Sequence, residues 1–579
     1  MDLGIVEVYQ DFIWKGKSTG LAQKLYDGPV LTMGGIGERV PSIAEAFTKT
    51  GWHTLERMEI LRKALEDMNR QLECLTPKVK SAIERVPYGV VEASHQSVVM
   101  GGTCYILNKA ATAGKVAALG REKGVDLSPV FFVADYDIVQ PELTNTRTPA
   151  SGQAGNLVSL PVREGYEYSP VHAIPLPDHD WYSQVEEGIR AGYRPLFKAL
   201  SGTAHTLFQE RLEHCLALAR SAYVSSRTLG DWAERILARL FNVEQDLGIP
   251  LIPASDTRIK HLMTIGMEFL LARSNRTLFL QAHEVATNLI TENGFRPGMG
   301  SRGADYVPFY YECPNDSCHF SRTELHYADR GSRIGLTGRC PSCGDQIDID
   351  CNAGAPDLSA VESSLSPRVD SRQLMTDFVL PVTVHIGGIG EAAYYAQVIP
   401  IAKALNVPFP LFVKYPRAYF NTPWNERLAD AMKTRGLPVL HSPKLFSLLG
   451  RLTKLRSKRR FEDMNSALLE LSELIIATRD ELNRRLAQIN EAAPHRTGEE
   501  ASNLVATRFD VERYLSWAFG EFAEEKAGQE SAWSWIEWAI NSGFPDLFGP
   551  YERAYSEEMK NGATVFVNFS IREQDAREL

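Results

Sequence analysis

Four cysteines in two short pairs carry the clearest chemical signal in this sequence. Cys313 and Cys318 form the first pair, and Cys340 and Cys343 form the second. Thiolates on two tight turns supply the four tetrahedral ligands of a zinc ribbon, and a closed set of four leaves no position for water. The sequence therefore predicts a zinc ion with a structural role.

Three further side chains in the same segment are metal ligands by type. Cys351, His319 and His326 lie close to the two pairs, and the sequence alone does not decide whether one of them replaces a cysteine. The chain has eight cysteines, and their clustering between residues 313 and 351 is typical of a metal site rather than of a disulfide scaffold.

Two carboxylates, Asp135 and Asp137, follow an almost wholly apolar run at residues 129–134. Such a run predicts a strand that is buried on both faces of a parallel sheet. Ligands of open parallel sheets bind at the carboxyl ends of the strands. A carboxylate there can act as a general base or hold a metal ion. A turn or helix-capping role is the alternative for both residues.

Two strand-turn-helix stretches must position these groups. In the first, a run at 89–96 leads through Gly101 and Gly102 into an Ala- and Lys-rich stretch, 106–119, that favours a helix. In the second, at 380–413, an apolar run, a glycine-rich turn and an Ala-rich helix precede another apolar run. This alternation predicts an α/β fold built on a parallel sheet.

The remaining segments are predicted to be additions to this sheet. Residues 448–489 contain no proline and carry apolar residues at spacings of three, four and seven, which predicts one arm of an antiparallel coiled coil, with the second arm at about 508–540. The predicted division is 1–179 (first part of the core), 180–300 (mostly helical connecting region), 301–356 (zinc-ribbon insertion), 357–447 (second part of the core), 448–545 (coiled-coil arm) and 546–579 (C-terminal segment).

The charge balance opposes a nucleic-acid-binding surface. The 579 residues include 62 Lys and Arg against 72 Asp and Glu, and the net charge of -10 at pH 7 repels phosphate backbones. No run of about eighteen apolar residues occurs, and the first residues lack the basic and apolar regions of a signal peptide. We therefore expect a cytoplasmic protein that does not bind membranes and that does not bind nucleic acid over its whole surface, whereas a local nucleic-acid-binding patch stays open.

The second half of the predicted sheet resembles the bacillithiol-biosynthesis cysteine-adding enzymes, the BshC family. The matching residues, in the order of the family, are Ser366-Pro367, Arg372, Leu380-Pro381, the turn Gly387-Gly388-Ile389-Gly390-Glu391, Tyr394 and Gln397. The first half matches the family at Val90–Gln96, Gly101-Gly102, Tyr105, Lys109 and Pro129–Phe132. The sequence is similar to a divergent member with a zinc-ribbon insertion.

This resemblance implies a Rossmann-like core with helical insertions and a coiled coil that mediates a homodimer. It also implies an amide-forming ligase that joins the carboxyl group of cysteine to the amine of glucosaminyl-malate. Because such an amide forms from an activated carboxyl group and an unprotonated amine, ATP is the expected cosubstrate.

The resemblance further implies the residues of the site. The catalytic positions are His95, Lys109, Asp135 and Asp137. The positions that contact substrate or cosubstrate are Gln96, Gly101, Gly102, Arg372, Gly387, Gly388, Gly390, Glu391 and Tyr394. Without the resemblance, Lys109 is interpreted as a solvated helix lysine and His95 as a turn residue.

Four departures from the family pattern bear on the substrate. His95 stands where the family has the first of two glutamines. Tyr136 stands where the family has a histidine between acidic residues, so an imidazole that titrates near neutral pH is replaced by a phenol. Ile389 replaces a proline in the glycine turn, and the cysteine-rich segment has no counterpart in typical members. These departures favour a ligase that acts on a different amine or thiol compound.

Two other classes of function stay open. A zinc ribbon, a coiled coil, a basic run at 451–460 and a Rossmann-like core also describe relatives of class I tRNA synthetases. The run His385-Ile386-Gly387-Gly388 is similar to their histidine-isoleucine-glycine-histidine signature, although its last position differs and no lysine-methionine-serine-lysine-serine loop follows. A non-catalytic scaffold of the same fold is the third hypothesis.

Overall fold

The structure is a computed structural model that describes most of the chain. Described are residues 3–569 except 16–19, 29, 151–154, 199, 201, 440–450, 452–454, 456–459, 493–494, 505–506 and 508–528. The strands are β1 Leu3–Gly4, β2 Val90–Gln96, β3 Ser128–Ala134, β4 Asn145–Thr148, β5 Asn156–Ser159, β6 Leu251–Pro253, β7 Phe295–Arg296, β8 Tyr306–Glu312, β9 Arg322–Arg330, β10 Arg333–Arg339, β11 Gln346–Asn352, β12 Leu365–Pro367, β13 Val382–Gly387, β14 Leu411–Lys414, β15 Arg417–Asn421 and β16 Thr564–Asn568.

Helices surround these strands and in several cases begin at a capping side chain. The helices are α1 Val6–Lys15, α2 Gly20–Tyr26, α3 Met33–Thr50, α4 Leu55–Gln71, α5 Pro77–Arg85, α6 Tyr105–Glu122, α7 Pro141–Thr144, α8 His179–Phe197, α9 Gly202–Val224, α10 Leu229–Ala238, α11 Thr257–Leu271, α12 Arg273–Glu292, α13 Arg372–Val379, α14 Ile389–Ala404, α15 Pro423–Thr434, α16 Phe461–Ala492, α17 Gln529–Ala532, α18 Trp535–Ser542 and α19 Gly549–Ala554. Thr54, Thr76 and Asp178 each accept a hydrogen bond from the backbone N–H three residues later, at the starts of α4, α5 and α8. Each cap satisfies a donor that the helix leaves without a partner.

A parallel sheet of five strands lies at the centre, in the order β14-β13-β2-β3-β6. Along β3, Val130 and Phe132 enter one apolar cluster, whereas Phe131 and Val133 enter another. Helices α3 and α6 contribute to the second cluster, and α4, α11 and α14 to the first. Both faces of the sheet are therefore covered, which is why its strands are continuous apolar runs in the sequence. The predicted α/β fold with a parallel sheet is confirmed.

One strand of this sheet was missed by the sequence analysis. Strand β6, residues Leu251–Pro253, pairs with β3 and is fully buried, although it lies inside the segment 180–300 that was predicted as a helical connecting region. The segment is otherwise largely helical, from α8 to α12. A strand of three residues is too short to produce a periodic pattern, so only its pairing with β3 identifies it.

The cysteine-rich segment forms a second sheet, which is antiparallel and has the order β11-β10-β9-β8-β12. Strand β12, residues Leu365–Pro367, lies beyond the predicted end of the insertion at residue 356 and pairs with β8. Lys260 of α11 donates a hydrogen bond to Glu312 at the end of β8, at 2.5 Å. The antiparallel sheet is thus tied to the core by a strand pair and a buried ion pair.

Helix α16 covers most of the predicted first arm of the coiled coil. Among its described side chains, Leu471 and Leu482 are buried, whereas Leu469 and Ile476 are exposed. Most of the predicted second arm, residues 508–528, lies outside the described residues. The pairing of two arms and a homodimer through them stay predictions.

The end of the predicted second arm, residues 529–540, lies in the core and not in an arm. Every residue of α18 from Trp535 to Asn541 is buried. A helix that is buried on all sides belongs inside a domain, and a coiled-coil arm needs a polar face. The segment 529–540 and the predicted boundary at 545 are therefore corrected: the core includes these residues.

Helix α18 and the turn before it pack against parts of the core that are distant in the sequence. Trp535 Nε1 donates to the carbonyl oxygen of Met100 at 2.6 Å, and Cys104 N donates to the carbonyl oxygen of Trp533 at 3.0 Å. Glu537 is 1% exposed and accepts a hydrogen bond from Tyr193 Oη at 2.7 Å. Burial raises the pKa of this carboxyl to about 8. Strand β16 pairs in parallel with β15.

Within the described ranges, the helices include none that is both long and apolar enough to span a bilayer.

Candidate functional site

A cavity of about 560 Å³ opens at the carboxyl ends of strands β2, β3 and β13. This is the edge of an open parallel sheet at which ligands bind, and the size suits a small molecule. The cavity is lined by Ser94, His95, Gln96, Tyr105, Ala134, Tyr136, Asp137, Glu142, Leu143, Val369, Arg372, Gly388, Ile389, Gly390, Glu391, Tyr394, Tyr415, Arg417 and Ser531.

The structure brings many of the predicted site residues to this cavity. Those in its lining are His95, Gln96, Asp137, Arg372, Gly388, Gly390, Glu391 and Tyr394. Those outside its lining are Gly101, Gly102, Lys109, Asp135 and Gly387. The cavity is also lined by Tyr105, Tyr136, Glu142, Tyr415, Arg417 and Ser531, which were not among the predicted site residues.

The glycine turn between β13 and α14 forms one wall. Gly388 is the extended residue before α14, and a Cβ atom at Gly390 would meet no other atom within 4 Å. A Cβ atom at Gly387 would instead collide with the carboxylate of Glu391 and the ring of Phe412. The turn therefore leaves the first amides of α14 beside the cavity, where their N–H groups and the helix dipole favour an anion.

Five ionisable side chains form a buried chain behind this wall. Arg372 Nη1 donates to Glu92 Oε1 at 3.1 Å, and Glu92 Oε2 lies 3.1 Å from His385 Nδ1. On the other side of the imidazole, His385 Nε2 lies 2.9 Å from Glu391 Oε2. Glu391 Oε1 accepts a hydrogen bond from Lys109 Nζ at 2.6 Å. Arg372 and Glu391, at or next to the two ends of the chain, line the cavity.

Basic and acidic side chains alternate along this chain. Burial opposes the ionisation of Glu92, but His385 and Arg372 outweigh it and lower the pKa of this carboxyl to about 2. Burial likewise opposes the ionisation of Glu391, and Lys109 and His385 still hold its pKa well below the usual range. Each ring nitrogen of His385 lies within hydrogen-bond distance of a carboxylate, so the ring links Glu92 to Glu391.

His385 and Glu92 were not among the predicted site residues. A glutamate inside the buried strand Val90–Gln96 is a signal that could have been used, because a buried charge needs a partner. His385 is 0% exposed and does not line the cavity. Residues 385–388 are similar to the synthetase signature in sequence, but the histidine of this run does not face the cavity.

Aromatic side chains and His95 form the opposite wall. His95 Nδ1 lies 2.8 Å from the carbonyl oxygen of Gln96, and His95 Nε2 is hydrogen-bonded to Tyr105 Oη. The rings of Tyr105 and Tyr415 are nearly parallel, with centroids 6.3 Å apart and an angle of 13° between their planes. This wall offers apolar ring faces with polar tips at the cavity.

The two aspartates after β3 have different environments. Asp137 lines the cavity, and its Oδ1 lies 3.4 Å from Nη1 of Arg322, the first residue of β9. Asp135 is 1% exposed, accepts a hydrogen bond from Ser255 N at 2.9 Å and binds the hydroxyl of the same serine. Burial raises the pKa of Asp135. The side chain of Asp135 is thus bonded inside the protein and lies outside the cavity lining, and its catalytic role stays a prediction.

Lys109 and the two glycines before α6 lie behind the cavity wall and outside its lining. Lys109 is 3% exposed and donates to the carbonyl oxygen of Ser94 at 2.9 Å as well as to Glu391, so it is no solvated helix lysine. Gly101 and Gly102 have φ angles of 73° and 90°, in the region that favours glycine. They shape the turn that starts α6 and do not reach the cavity.

The four predicted metal ligands come together at one end of the antiparallel sheet. The sulfur atoms of Cys313, Cys318, Cys340 and Cys343 all lie within 4.8 Å of one another. The Sγ atoms of Cys313 and Cys343 are 4.0 Å apart, and those of Cys318 and Cys340 are 3.7 Å apart. Tetrahedral Zn–S bonds of about 2.3 Å require separations of about 3.8 Å. The donor set and its spacing therefore fit a metal ion.

The three spare ligand candidates lie elsewhere. Cys351 is buried in the apolar cluster that also contains Ile334. The ring of His319 stacks on Tyr166 with centroids 3.9 Å apart, and His326 Nδ1 lies 2.9 Å from a carboxylate oxygen of Asp305. Among the described residues, the metal-binding group therefore consists of the four paired cysteines.

Comparison with known proteins finds one matching family model and two similar proteins. The family model described as "Bacillithiol biosynthesis BshC, N-terminal Rossmann-like domain" matches residues 38–418, which contain the entire parallel sheet. A protein of Lysinibacillus sphaericus named "Putative cysteine ligase BshC" is 23% identical over 397 residues, which are 64% of this chain and 63% of that protein. A protein of Symbiobacterium thermophilum with the same name is 24% identical over 371 residues, 62% of this chain and 60% of that protein.

The two alignments therefore span less than two thirds of each relative. The family model, by contrast, takes in more than half of this chain, including the glycine turn and most of the cavity lining. On that match, the chain belongs to the BshC family, with a Rossmann-like core.

Proposed function

We propose that this protein is a cysteine ligase, which joins the carboxyl group of cysteine to an amine in the cavity at the carboxyl edge of the parallel sheet. Glucosaminyl-malate is the first candidate for the amine. The observation that carries the proposal is the placement of opposite charges around one small cavity: Arg372 and the start of α14 on one side, and Asp137 on another. The names of the two curated relatives support the same reaction.

Arg372 and the start of α14 would bind the negatively charged parts of the substrates. The guanidinium of Arg372 is held in place by Glu92 and by Tyr395 Oη, at 3.3 Å. Such a fork suits carboxylate and phosphate groups, and the amides at the start of α14 favour anions. Both fit an acyl-phosphate or acyl-adenylate, so ATP is the proposed cosubstrate.

Asp137 is the proposed acceptor of the amine proton. The amine nitrogen bonds to the carbonyl carbon of the activated cysteine, the bond from that carbon to the phosphate oxygen breaks, and the proton leaves for a base. Asp137 is a carboxylate in the cavity wall, with a side chain that is 30% exposed. Its pairing with Arg322 fixes the orientation of the carboxylate.

We further propose that the four-cysteine group holds Zn²⁺ with a structural role. Four thiolates complete a tetrahedral site and leave no position for water or substrate. Bound zinc would fix the two turns that join β8 to β9 and β10 to β11, because each turn supplies two of the ligands. The proposed homodimer through α16 is independent of this site.

Mass spectrometry of the purified full chain with cysteine, ATP and glucosaminyl-malate tests the ligase proposal. The expected result is a product with the mass of the amide, and its absence when ATP or cysteine is left out. A cell extract in place of glucosaminyl-malate serves as an unbiased source of amines. No cysteine adduct in either reaction would refute the proposal and favour the scaffold or RNA-linked alternatives.

A matched pair of variants tests the role of Asp137. Asp137→Asn removes the proton acceptor and is expected to lower turnover by about 100-fold or more, with folding retained. Asp329→Asn is the control, because Asp329 also forms an ion pair with an arginine, Arg273, but lies outside the cavity. Equal turnover of the two variants would remove Asp137 from the mechanism.

A further inference from the structure

The metal-binding turn and the cavity wall are connected through one arginine. Arg322 begins β9, and Ser321 just before it accepts a hydrogen bond from Cys313 N at 2.9 Å and donates one to the carbonyl oxygen of Cys318 at 2.9 Å. The guanidinium of Arg322 lies 3.4 Å from Asp137 Oδ1 and over the ring of Tyr136, at 5.4 Å from its centroid. Asp137 and Tyr136 both line the cavity.

The guanidinium is held firmly where it meets Asp137. Arg322 is 6% exposed; its Nε donates to Ser366 Oγ at 3.2 Å, and its Nη2 to the carbonyl oxygen of Pro367 at 2.9 Å. The ring of Tyr310 lies beneath it, at 4.3 Å. The side chain therefore cannot follow a shift of its own backbone without losing these bonds.

The turn that precedes Arg322 is strained and needs an external restraint. His319 and Phe320 have φ angles of 50° and 58°, which residues other than glycine adopt at a cost of about 1–3 kcal/mol each. Such conformations persist when the surroundings enforce them. A metal ion held by the four-cysteine group would supply this restraint, because Cys318 is the residue directly before His319.

Backbone contacts form a second connection from the same turn. Arg322 N donates to the carbonyl oxygen of Tyr168 at 2.9 Å. In the same segment, Val171 N donates to the carbonyl oxygen of Asp137 at 2.9 Å, and Val139 N donates to that of Ser169 at 3.1 Å. The segment thus lies between the metal-binding turn and the cavity loop and is bonded to both.

We infer that the four-cysteine metal centre positions the cavity wall through Arg322, so that metal occupancy controls the geometry of Asp137 and Tyr136. Arg322 is a positioning residue, since it acts through Asp137 and does not line the cavity. The kinetic part of this inference rests on the proposed ligase function, and the structural part does not. Loss of the metal relaxes the strained turn, moves Arg322 and releases the loop after β3.

Hydrogen exchange of the full chain, with zinc bound and after removal by a chelator, tests the structural part without any substrate. Zinc removal is expected to speed exchange at Val139 and Val171 as well as in the cysteine turns, while β2 at the centre of the parallel sheet stays protected. Arg322→Gln, with zinc still bound, is expected to speed exchange at Val139 and Val171. Changes confined to residues 313–343 in both experiments would overturn the inference.

Turnover measurements test the kinetic part in the same samples. Arg322→Gln is expected to lower kcat about tenfold or more, as for residues that orient a reacting group, with KM and zinc content retained. Arg322→Lys should recover part of the loss, because it keeps a charge near Asp137. Arg330→Gln is the control, since Arg330 lies on the same strand but is paired with Asp348 at the surface. Full activity of Arg322→Gln would overturn the kinetic part, and absence of ligation in wild type would refute only the proposed function.

Discussion

The buried carboxyl of Glu537 provides a quantitative test of the C-terminal packing, through the substitution Glu537→Gln. Its side chain is 1% exposed and accepts a hydrogen bond from Tyr193 Oη at 2.7 Å. Glutamine has the same shape, still offers Tyr193 an oxygen acceptor and cannot ionise. The substitution therefore removes the cost of burying a charge and leaves the packing of α18 unchanged.

The sign and size of the effect follow from the pKa of Glu537, which burial raises from 4.5 to about 8. The folded chain binds more protons than the unfolded chain between these values, so the contribution to stability is full below pH 4.5 and is lost as the pH rises through about 8. Integration between pH 5.5 and pH 8.5 gives a loss of about 3 kcal/mol. Glu537→Gln should therefore stabilise the protein by about 3 kcal/mol more at pH 8.5 than at pH 5.5.

Urea denaturation followed by tryptophan fluorescence measures this difference, because the buried Trp535 and Trp538 flank Glu537. Wild type and variant are compared in the same transition at the two pH values, so contributions from other parts of the chain cancel. The control is Glu552→Gln, a substitution at an exposed position of α19. An equal effect of Glu537→Gln at both pH values would refute the reasoning, because it would show that Glu537 ionises normally.

Three further predictions concern the metal group, the chain of ionisable side chains and the glycine turn before α14. Cys340→Ser should lower the zinc content, measured by metal analysis, to near zero and should reduce the melting temperature. The control is Cys351→Ser, which changes a buried cysteine outside the group and should retain zinc. Equal zinc content in the two variants would contradict the proposed metal site. His385→Gln removes a hydrogen bond to one of the two buried carboxylates, which keep their bonds to Arg372 and Lys109, and should cost about 1.5–3 kcal/mol in urea denaturation. Combination with Glu92→Gln should cost less than the sum of the two single substitutions, so strict additivity would argue against the coupled chain. Gly387→Ala forces a methyl group against the first turn of α14 and should abolish turnover in the mass assay with zinc content unchanged, and normal turnover would show that the turn is not part of the site.

The parallel sheet could be predicted from the sequence where local composition decides the structure. The run at 129–134 is apolar throughout because β3 is buried on both faces, and the run before Gly387 is apolar for the same reason. The cysteine pairs were equally clear, since ligand spacing is a local property of two turns. In both cases the structural cause acts over a few neighbouring residues.

Elements that depend on distant partners could not be predicted in this way. Strand β6 contains three residues and is defined by its pairing with β3. Helix α18 has the same helical periodicity as a coiled-coil arm, so periodicity alone does not distinguish the two. Its closely spaced aromatic residues Trp535 and Trp538 are the sequence feature that indicates burial. Periodicity identifies a helix, but the polarity of all its faces decides where the helix lies.

Within the site, the sequence located the loop after β3 but not the orientation of its side chains. Asp135 and Asp137 are two residues apart, and only Asp137 lines the cavity, because the backbone turns after the end of the strand at Ala134. Glu92 and His385 were not predicted as site residues, because they pair with each other across neighbouring strands that are far apart in the sequence. Pairs of this kind become visible only when the register of the sheet is known.

The contact between the Gly101 turn and the segment before α18 has a consequence for the order of folding during synthesis. Cys104 Sγ donates to the carbonyl oxygen of Ser534, and these residues are 430 positions apart in the chain. The ribosome therefore exposes α6 and its apolar surroundings long before Trp533 and Trp535 emerge to cover them. Closing so long a loop is slow, and during that interval the nascent chain presents an open apolar groove of the kind that chaperones bind and that aggregation begins from.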